Sequence, residues 1–255
     1  TSFTASDKAY DGNTSAIITG GALTGIVSSG GQLPVIDDVS LSGIGTFDNK
    51  NAGIDKTVTL TSSSLAGVDS GNYTFDPAIS GSVTDLATIT PLALNIGIAN
   101  IIADDKIYDR TTSALVKGSL LNFISGDVVL LTGSGVFDSK DAGNDKTVTF
   151  SRNDLTLVGT DSINYLLQPI FETGTTTADI FKKDLSLGGF AVNDKVFDGN
   201  ATATLKENSN IPQGVIDGDT VFFSAGSATF DDQNAGTGKV VTIKEIKLSG
   251  SDVDN

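Results

Sequence analysis

Four residue types that carry much of protein chemistry are missing from this chain of 255 residues: cysteine, histidine, methionine and tryptophan. Without cysteine, disulfide bonds are excluded, so stability has to come from packing or from another kind of crosslink. Without imidazole, thiolate or thioether groups, the chain lacks the commonest general base, the thiolate nucleophile and the soft metal ligands. Composition thus excludes most familiar catalytic arrangements, and we expect no enzymatic activity.

Basic residues are also scarce, with 16 Lys and Arg against 31 Asp and Glu and a net charge of −15. Such a field repels phosphate groups, so binding to nucleic acid or to an anionic membrane surface is not expected. Apolar runs of about 18 residues are absent, which predicts no membrane insertion by this segment. Hydrophobic residues still make up 38% of the chain, enough for a packed core.

The chain is organised around a segment of nearly thirty residues that occurs three times. Each copy begins with Phe-Asp, continues through Ala-Gly, and reaches a lysine that is followed by an alternating strand pattern. A landmark beginning with lysine precedes each copy, and the first reads Lys8-Ala9-Tyr10-Asp11-Gly12. The three segments are Phe47–Tyr73, Phe137–Tyr165 and Phe230–Asn255, and their landmarks start at Lys8, Lys106 and Lys195.

The period of about 90 residues is long enough for each unit to bury a core of its own, unlike the shorter repeats of solenoids. We therefore predict three domains that span residues 1–90, 91–181 and 182–255. The third is expected to be incomplete at its C-terminus, because the final strands of the first two units have no counterpart before Asn255.

Strand signals recur in each unit. In the first, Val58 and Leu60 lie on one side of an alternating pattern whose other side carries threonine, as in a half-buried strand. The pairs Val148 with Phe150 and Val241 with Ile243 repeat this alternation. Gly, Asn and Asp clusters separate such stretches, and no capped helical pattern interrupts them. The whole chain is predicted to be all-β.

A tyrosine at the end of the first two segments indicates which all-β fold to expect. Asp69 and Tyr73 in the first unit, and Asp161 and Tyr165 in the second, resemble the tyrosine corner of immunoglobulin-like sandwiches. We therefore predict a tandem array of small antiparallel immunoglobulin-like β-sandwiches that forms an elongated rod. The alternative is a β-grasp-type unit with one short helix around Ser62–Leu65.

The joins between units are short and apolar. Residues 87–94 align with residues 178–185, and in both a strand end passes directly into the next strand. A flexible linker would be rich in Gly and Ser or in acidic residues. We therefore predict restricted hinges between neighbouring repeats. The expected partners of each repeat are its neighbours in the same chain. The residues expected at these interfaces are Ile89, Leu92, Ile180 and Phe181.

The combined motifs resemble a known family. Lys-x-Tyr-Asp-Gly, Phe-Asp-x-Lys-x-Ala-Gly-x-x-Lys-Thr-Val, Gly-x-Asp-x-x-Asn-Tyr and Ala-x-Ile-Thr-Pro together are similar to the YDG-type repeats of large bacterial surface adhesins and filamentous-haemagglutinin-like exoproteins. The match spans nearly all of the chain and departs from the pattern at Arg110, Phe197 and Lys182-Lys183. The resemblance implies an exported protein, secreted or held at the bacterial cell surface.

Two functions fit that context. In the first, the repeats are structural spacers of a monomeric stalk that projects a distal binding region from the cell. In the second, the repeats themselves bind a host glycan or matrix protein, which would require an exposed apolar or aromatic patch that differs between units. Aromatic residues are few, at 7%, and the repeated ones have the parity of core residues, so the spacer function is favoured.

The repeated lysines allow two interpretations. In one, each lysine covers the rim of the fold with its aliphatic stem and pairs with an aspartate. In the other, a lysine with a lowered pKa forms an intramolecular amide with an asparagine, and a nearby aspartate shuttles the proton. The candidate residues are Lys8, Lys56, Lys106 and Lys146, with Asn72 or Asn164 as acceptor and Asp48 or Asp138 as shuttle.

Asp-rich turns could also bind calcium through carboxylate and carbonyl oxygens. The turn that starts at Asp48 departs from the EF-hand pattern, because Lys50 and Ala52 stand where oxygen ligands are needed. No cofactor or metal is therefore assigned, and calcium remains open.

Overall fold

The computed structural model describes residues 2–28, 36–75, 83–187, 189–206 and 211–255. Nearly all regular structure in these ranges is β-strand, accompanied by 3-10 turns of three residues each. The prediction of an all-β chain is confirmed.

Contacts divide the chain into two compact units. The first comprises residues 1–101, 117–133 and 152–172, and the second comprises residues 102–116, 134–151 and 173–255. The division does not follow the period of about 90 residues, because the first unit includes segments from both of the first two repeats. The boundaries drawn from the repeat therefore remain predictions.

The first unit contains a six-stranded sheet of order β1-β3-β4-β5-β6-β2. Neighbours in it are antiparallel except for β2 and β6, which run parallel with Lys8 opposite Ile89. A bulge interrupts the pairing of β5 with β6 between Gly53 and Lys56. The strands are β1 (Ser2–Ala5), β2 (Lys8–Ala9), β3 (Ser15–Ala22), β4 (Ser40–Phe47), β5 (Gly53–Ala66) and β6 (Thr84–Thr90).

The core of the first unit follows the predicted alternation. Phe47, Val58 and Ile89 are almost completely buried and belong to one cluster together with Tyr10. Burying a side chain of this size contributes about 1.5–3 kcal/mol. The short helix that the alternative β-grasp-type unit would place around Ser62–Leu65 is wrong, because these residues continue strand β5, where Leu65 pairs with Leu41 of β4.

Strands from the second repeat complete the first unit. Strands β7 (Leu92–Ile96) and β14 (Tyr165–Pro169) pair in parallel, with Tyr165 opposite Leu92. Strand β13 (Leu155–Val158) pairs with the first half of β11 (Leu130–Phe137). Because Leu92 follows β6 by two residues, the parallel pairing carries Tyr165 to the place where the first repeat ends.

In the second unit, strands follow the order β10-β11-β12-β15-β9, with β8 beside β10. The first residues of β8 and β11 and the last of β10 belong to the first unit. The arrangement repeats that of the first sheet, since Ile180 lies opposite both Gly143 and Lys106. The strands are β8 (Ile101–Ala103), β9 (Lys106–Ile107), β10 (Ser113–Gly118), β12 (Gly143–Ser151) and β15 (Thr173–Phe181).

Two antiparallel ribbons formed by the third repeat also belong to the second unit. One joins β16 to β19 with Phe223 opposite Leu248, and the other joins β17 to β18 with Ala228 opposite Ile243. The strands are β16 (Phe222–Ser224), β17 (Ser227–Phe230), β18 (Val241–Lys244) and β19 (Lys247–Ser249).

The four residues expected at the joins have different environments. Ile89 and Ile180 are buried in the sheets of their own units, and Leu92 packs half-buried against the first core. Phe181 is largely exposed, because successive side chains of a strand point to opposite faces and Ile180 occupies the inner one.

Candidate functional site

The landmark of each repeat is a turn closed by its lysine. Lys8 Nζ lies 2.7 Å from Asp11 Oδ1 and donates to Asn13 Oδ1 at 3.0 Å. It also stands 5.6 Å from the centre of the Phe47 ring, a cation–π distance. Gly12 adopts a positive φ of 80°, which the tight turn requires.

The other two landmarks repeat this turn. Lys106 pairs with Asp109 and Lys195 with Asp198, both at 2.7 Å, and each lysine stands over the phenylalanine that begins its segment. In the second repeat the amide partner is replaced by Thr111, whose hydroxyl accepts from Lys106 at 2.9 Å. The turn thus needs an oxygen at this position rather than an asparagine.

The second lysine of each repeat also forms an ion pair. Lys56 lies 2.8 Å from Asp48, and Lys146 lies 3.0 Å from Asp138. The hydrogen bond from the lysine lowers the pKa of each of these carboxyls. In the third repeat Lys239 takes the same place, between Asp231 and Asp232.

The proposed asparagine acceptors have other partners. Asn164 is buried; its Oδ1 accepts from the Ala52 backbone at 2.8 Å, and its amide nitrogen donates to Asn51 at 3.4 Å. Asn72 lies exposed at the end of the 3-10 turn Ser70–Asn72. The geometry favours ion pairs over Lys–Asn amides. The amide remains a prediction that intact mass tests, since each bond would release one ammonia.

A carboxylate that the sequence did not single out is the centre of a polar cluster in the first unit. Asp127 Oδ2 accepts hydrogen bonds from the hydroxyls of Tyr10 at 2.7 Å and Tyr165 at 2.6 Å. Its other oxygen, Oδ1, lies 2.8 Å from Lys50 Nζ. The Asp127 side chain is only 3% exposed, so these three partners replace water around its charge.

The same cluster holds the loop that carries Asp127. The Tyr165 hydroxyl accepts a hydrogen bond from the Ile124 backbone at 2.9 Å, and Asp161 Oδ2 accepts one from the Val128 backbone at 2.9 Å. The Tyr165 ring meets that of Tyr10 edge to face, with centroids 5.5 Å apart.

The ionisation states in this cluster follow from burial and hydrogen bonding. Burial raises the pKa of Tyr165 to about 12, and its hydrogen bond to Asp127 acts in the same direction. Burial also raises the pKa of Tyr10. For Asp127, burial opposes ionisation, but the hydrogen bonds from Lys50, Tyr165 and Tyr10 outweigh it and lower its pKa. At neutral pH the cluster therefore consists of neutral tyrosines around an ionised, charge-assisted acceptor.

The cluster joins two sequence repeats. Tyr10 and Lys50 belong to residues 1–90, whereas Asp127 and Tyr165 belong to residues 91–181. Tyr10 is the central residue of the landmark, and Lys50 is the first lysine of the Phe-Asp-x-Lys motif. Both signature side chains of the first repeat are thus engaged by the second.

A related cluster lies within the second unit. The Tyr108 hydroxyl donates to Asp219 Oδ1 at 3.1 Å, and Lys140 Nζ donates to that hydroxyl at 3.2 Å. Arg110 Nε lies 3.2 Å from the same carboxylate, which is 5% exposed. Asn255 accepts from the Ala142 backbone at 3.0 Å, as Asn164 does from Ala52.

The predicted corner residues form equivalent bonds in the first two repeats. Tyr73 donates to Asp37 at 2.6 Å and accepts from the Val27 backbone at 2.9 Å, as Tyr165 does with Asp127 and Ile124. Asp69 accepts from the Asp38 backbone at 2.9 Å. The corner tyrosine therefore bonds the upstream backbone and, in addition, an aspartate that the sequence analysis did not single out.

Sequence reasoning missed Asp127 and Asp219, together with the role of Lys50 and Lys140. The available signal was the dipeptide Gly-Asp, which occurs in the second repeat at Gly126 and in the third at Gly218. In each, the aspartate lies two residues before a buried valine. An isolated Gly-Asp is typical of any turn, so the signal carries meaning only once the partners are known.

The turn that starts at Asp48, considered above as a calcium site, contains an ion pair in which Lys56 supplies the cation to Asp48. Across the residues that the structure describes, no three acidic side chains converge in a way that could hold a metal ion. No helix in the described part of the chain is long and apolar enough to cross a membrane.

The turn and the lysine pairs recur in all three repeats, as expected of a tandem repeat protein. The YDG domain family model matches residues 1–81, 90–177 and 181–255, and the chain therefore belongs to the YDG domain family. No curated protein and no solved structure matches the chain.

Proposed function

We propose that the chain is a structural spacer of an exported bacterial adhesin and that its repeats project a binding region from the cell surface. The observation that carries this proposal is the cluster around Asp127, in which the signature tyrosine and lysine of one repeat bond to the next. The resemblance to YDG-type repeats of surface adhesins supplies the context of export.

Accessibility favours the spacer over a binding role for the signature residues. A side chain that recognises a ligand has to reach solvent, but Tyr10 and Tyr108 are only 2% and 3% exposed. Charged hydrogen bonds at a buried site restrict the relative motion of the segments that supply them. Restricted motion between repeats is what a stalk requires if it is to hold a distal domain away from the cell.

The spacer proposal includes a finer description of the fold. Each repeat is taken as a small immunoglobulin-like sandwich, supported by the corner hydrogen bonds of Tyr73 and Tyr165, and the repeats as a rod of one chain. Small-angle X-ray scattering tests the rod. A compact chain of this length has a radius of gyration of about 18 Å, and a rod has to exceed that value clearly. A value near 18 Å would contradict the rod.

Binding measurements separate the spacer from an adhesive repeat. The full chain, shown to be folded, is applied to a broad panel of glycans and matrix proteins with and without calcium. The spacer proposal expects no saturable binding in either condition. Saturable binding that is lost when one surface patch is substituted would overturn it and would assign recognition to the repeats.

A further inference from the structure

The chain contains three Asn-x-Ser/Thr triplets, the acceptor sequence for sugars linked to asparagine. They begin at Asn13, Asn72 and Asn200, and all three asparagines are exposed. Asn13 and Asn200 each follow the landmark lysine of their repeat by five residues. The same turn of the first and third repeats thus carries an acceptor asparagine at the surface.

The landmark turn holds the carboxamide of these two asparagines in one orientation. The Ser15 backbone N–H donates to Asn13 Oδ1 at 2.9 Å, and Lys8 Nζ donates to the same oxygen at 3.0 Å. In the third repeat, the Thr202 backbone and the landmark lysine donate to Asn200 Oδ1 in the same way, both at 2.9 Å. Because both donors lie on the Oδ1 side, the Nδ2 group of each carboxamide is directed away from them.

These hydrogen bonds change the chemistry of the amide nitrogen. An amide nitrogen is a weak nucleophile, because its lone pair is delocalised onto the oxygen. Two donors to Oδ1, one of them a cation, stabilise the negative charge that this oxygen gains when Nδ2 loses a proton. They also fix the carboxamide, so less side-chain freedom is lost when it enters an enzyme. The turn therefore presents a nitrogen that is accessible, oriented and easier to deprotonate.

We propose that Asn13 and Asn200 are glycosylation sites at which the folded landmark turn presents the acceptor. The donor is a sugar with a phosphate leaving group on its anomeric carbon, carried by a nucleotide or by a lipid. Nδ2 forms a bond to the anomeric carbon, the bond from that carbon to the phosphate oxygen breaks, and the Nδ2 proton passes to a base of the transferase. The proposal does not depend on the spacer function.

The third triplet provides an internal comparison. Asn72 ends the 3-10 turn Ser70–Asn72, and its backbone N–H donates to the Asp69 carbonyl. The middle residue of its triplet is the half-buried corner residue Tyr73, whose hydroxyl donates to Asp37 at 2.6 Å. A transferase can reach this triplet only after the corner opens, so we expect Asn72 to remain largely unmodified in the folded chain.

The second repeat offers a way to create the site. Thr111 stands at the position of Asn13, and its hydroxyl already accepts from Lys106 at 2.9 Å. Thr112 and Ser113 follow it, the same two residue types that follow Asn13. The Thr111→Asn substitution therefore completes a triplet in a turn that has its lysine in place, and it should add one glycosylation site.

The test exposes the folded full chain to two transferases. One is a soluble enzyme that uses UDP-glucose, and the other is a membrane enzyme that uses a lipid-linked oligosaccharide. Each is first shown to modify a peptide of residues 9–17, AYDGNTSAI. Peptide mass mapping should find sugar on Asn13 and Asn200 with at least one enzyme, and occupancy about tenfold lower or less on Asn72. The enzyme that succeeds identifies the carrier of the sugar.

Variants connect the sugar to the triplet and the turn. Ser15→Ala and Thr202→Ala remove the hydroxyl of the triplet but keep the backbone N–H, and each should abolish the sugar on its own asparagine. Thr111→Asn should gain a sugar, whereas Thr111→Gln, which adds a carboxamide outside the acceptor sequence, should gain none. The proposal would be overturned by modification of the peptide but not of the folded chain, by equal occupancy at Asn72, or by no gain in Thr111→Asn.

Discussion

The two tyrosine clusters solve one electrostatic problem with different cations. In the first, Lys50 reaches Asp127 directly at 2.8 Å, and two tyrosine hydroxyls complete its shell. In the second, the corresponding Lys140 bonds to the Tyr108 hydroxyl instead, and Arg110 supplies the charge beside the aspartate. A buried carboxylate needs a cation, but either of two sequence positions can supply it.

The position at which glycine is sterically required differs between the two clusters, as does the residue that supplies the cation. Gly12 occupies the landmark position that Arg110 takes in the second repeat, and a Cβ on Gly12 would come within 2.9 Å of Ile124. In the second cluster the close approach is elsewhere, because a Cβ on Gly218 would collide with the Arg110 guanidinium. The corresponding Gly126 has open space around its Cβ position. Gly–Arg exchange at the landmark is thus matched by a change in which loop glycine is sterically required.

The largest expected effect comes from removing the shared acceptor. Asp127→Ala leaves Tyr10, Tyr165 and Lys50 without their partner and should cost about 2–4 kcal/mol, whereas Asp219→Ala should cost about 1–2 kcal/mol. Urea unfolding of the full chain, with hydrogen exchange at the Ile124 amide as local probe, measures both. Equal losses for the two variants would contradict the view that the first cluster is the stronger.

Removing one tyrosine hydroxyl at a time should cost only part of the stability that is lost when the aspartate is removed. Tyr165→Phe removes a group that both donates to Asp127 and accepts from Ile124, so we expect a loss of about 1–2 kcal/mol. Tyr108→Phe removes the longer bond to Asp219 and should cost about 1 kcal/mol or less. Urea midpoints of the two variants provide the measurement, and a larger loss for Tyr108→Phe would reverse the ranking.

The pH dependence of stability tests the same cluster at both extremes. The pKa of Tyr165 is raised to about 12, so its contribution is fully present below pH 10, the ordinary tyrosine pKa, and is lost as pH rises towards 12. The pKa of Asp127 is lowered, so its contribution is present above about pH 4 and is lost as pH falls through the lower folded value. Tyrosinate absorbance and urea midpoints across pH measure both limbs. Tyr165→Phe should flatten the alkaline limb, and an unchanged alkaline limb in that variant would assign it to another group.

The smallest expected effect is that of Arg110→Gly, which converts the second landmark to the first. Arg110 has a φ of 68°, and replacing it with glycine relieves about 1 kcal/mol of backbone strain. It also removes the bonds to Asp219 and to the Asp217 carbonyl. The two changes should leave stability within about 1 kcal/mol of the parent. A double-mutant cycle with Lys140→Ala should then show a stronger dependence on Lys140, and additivity would argue against the exchange of cations.

Periodicity predicted the strands well where one face is apolar. Val58 and Val148, chosen by alternation, are completely buried. Alternation alone did not exclude the helix considered for Ser62–Leu65, because the register of β5 shifts opposite Ile44 and Gly45 and the inward positions change from even to odd numbers. Leu65 therefore lies across from Leu41 with the opposite parity to Val58. Periodicity did not identify the buried aspartates of the loops. Asp127 follows Gly126 in a stretch without alternation, where a carboxylate is usually a solvated turn residue.

For the repeated lysines the sequence left an ion pair and an amide open, and the structure supplies the ion pairs, such as Lys8 with Asp11. The sequence by itself determined the three repeats and the all-β class. These features depend on local spacing, which a single chain segment carries within it. Only the tertiary structure decided that Tyr10 meets Asp127, 117 residues away, and that Tyr165 joins them. The reason is that this meeting depends on the parallel register of β7 with β14 and on the path of the chain out of β6, neither of which is encoded by the pattern of any one repeat.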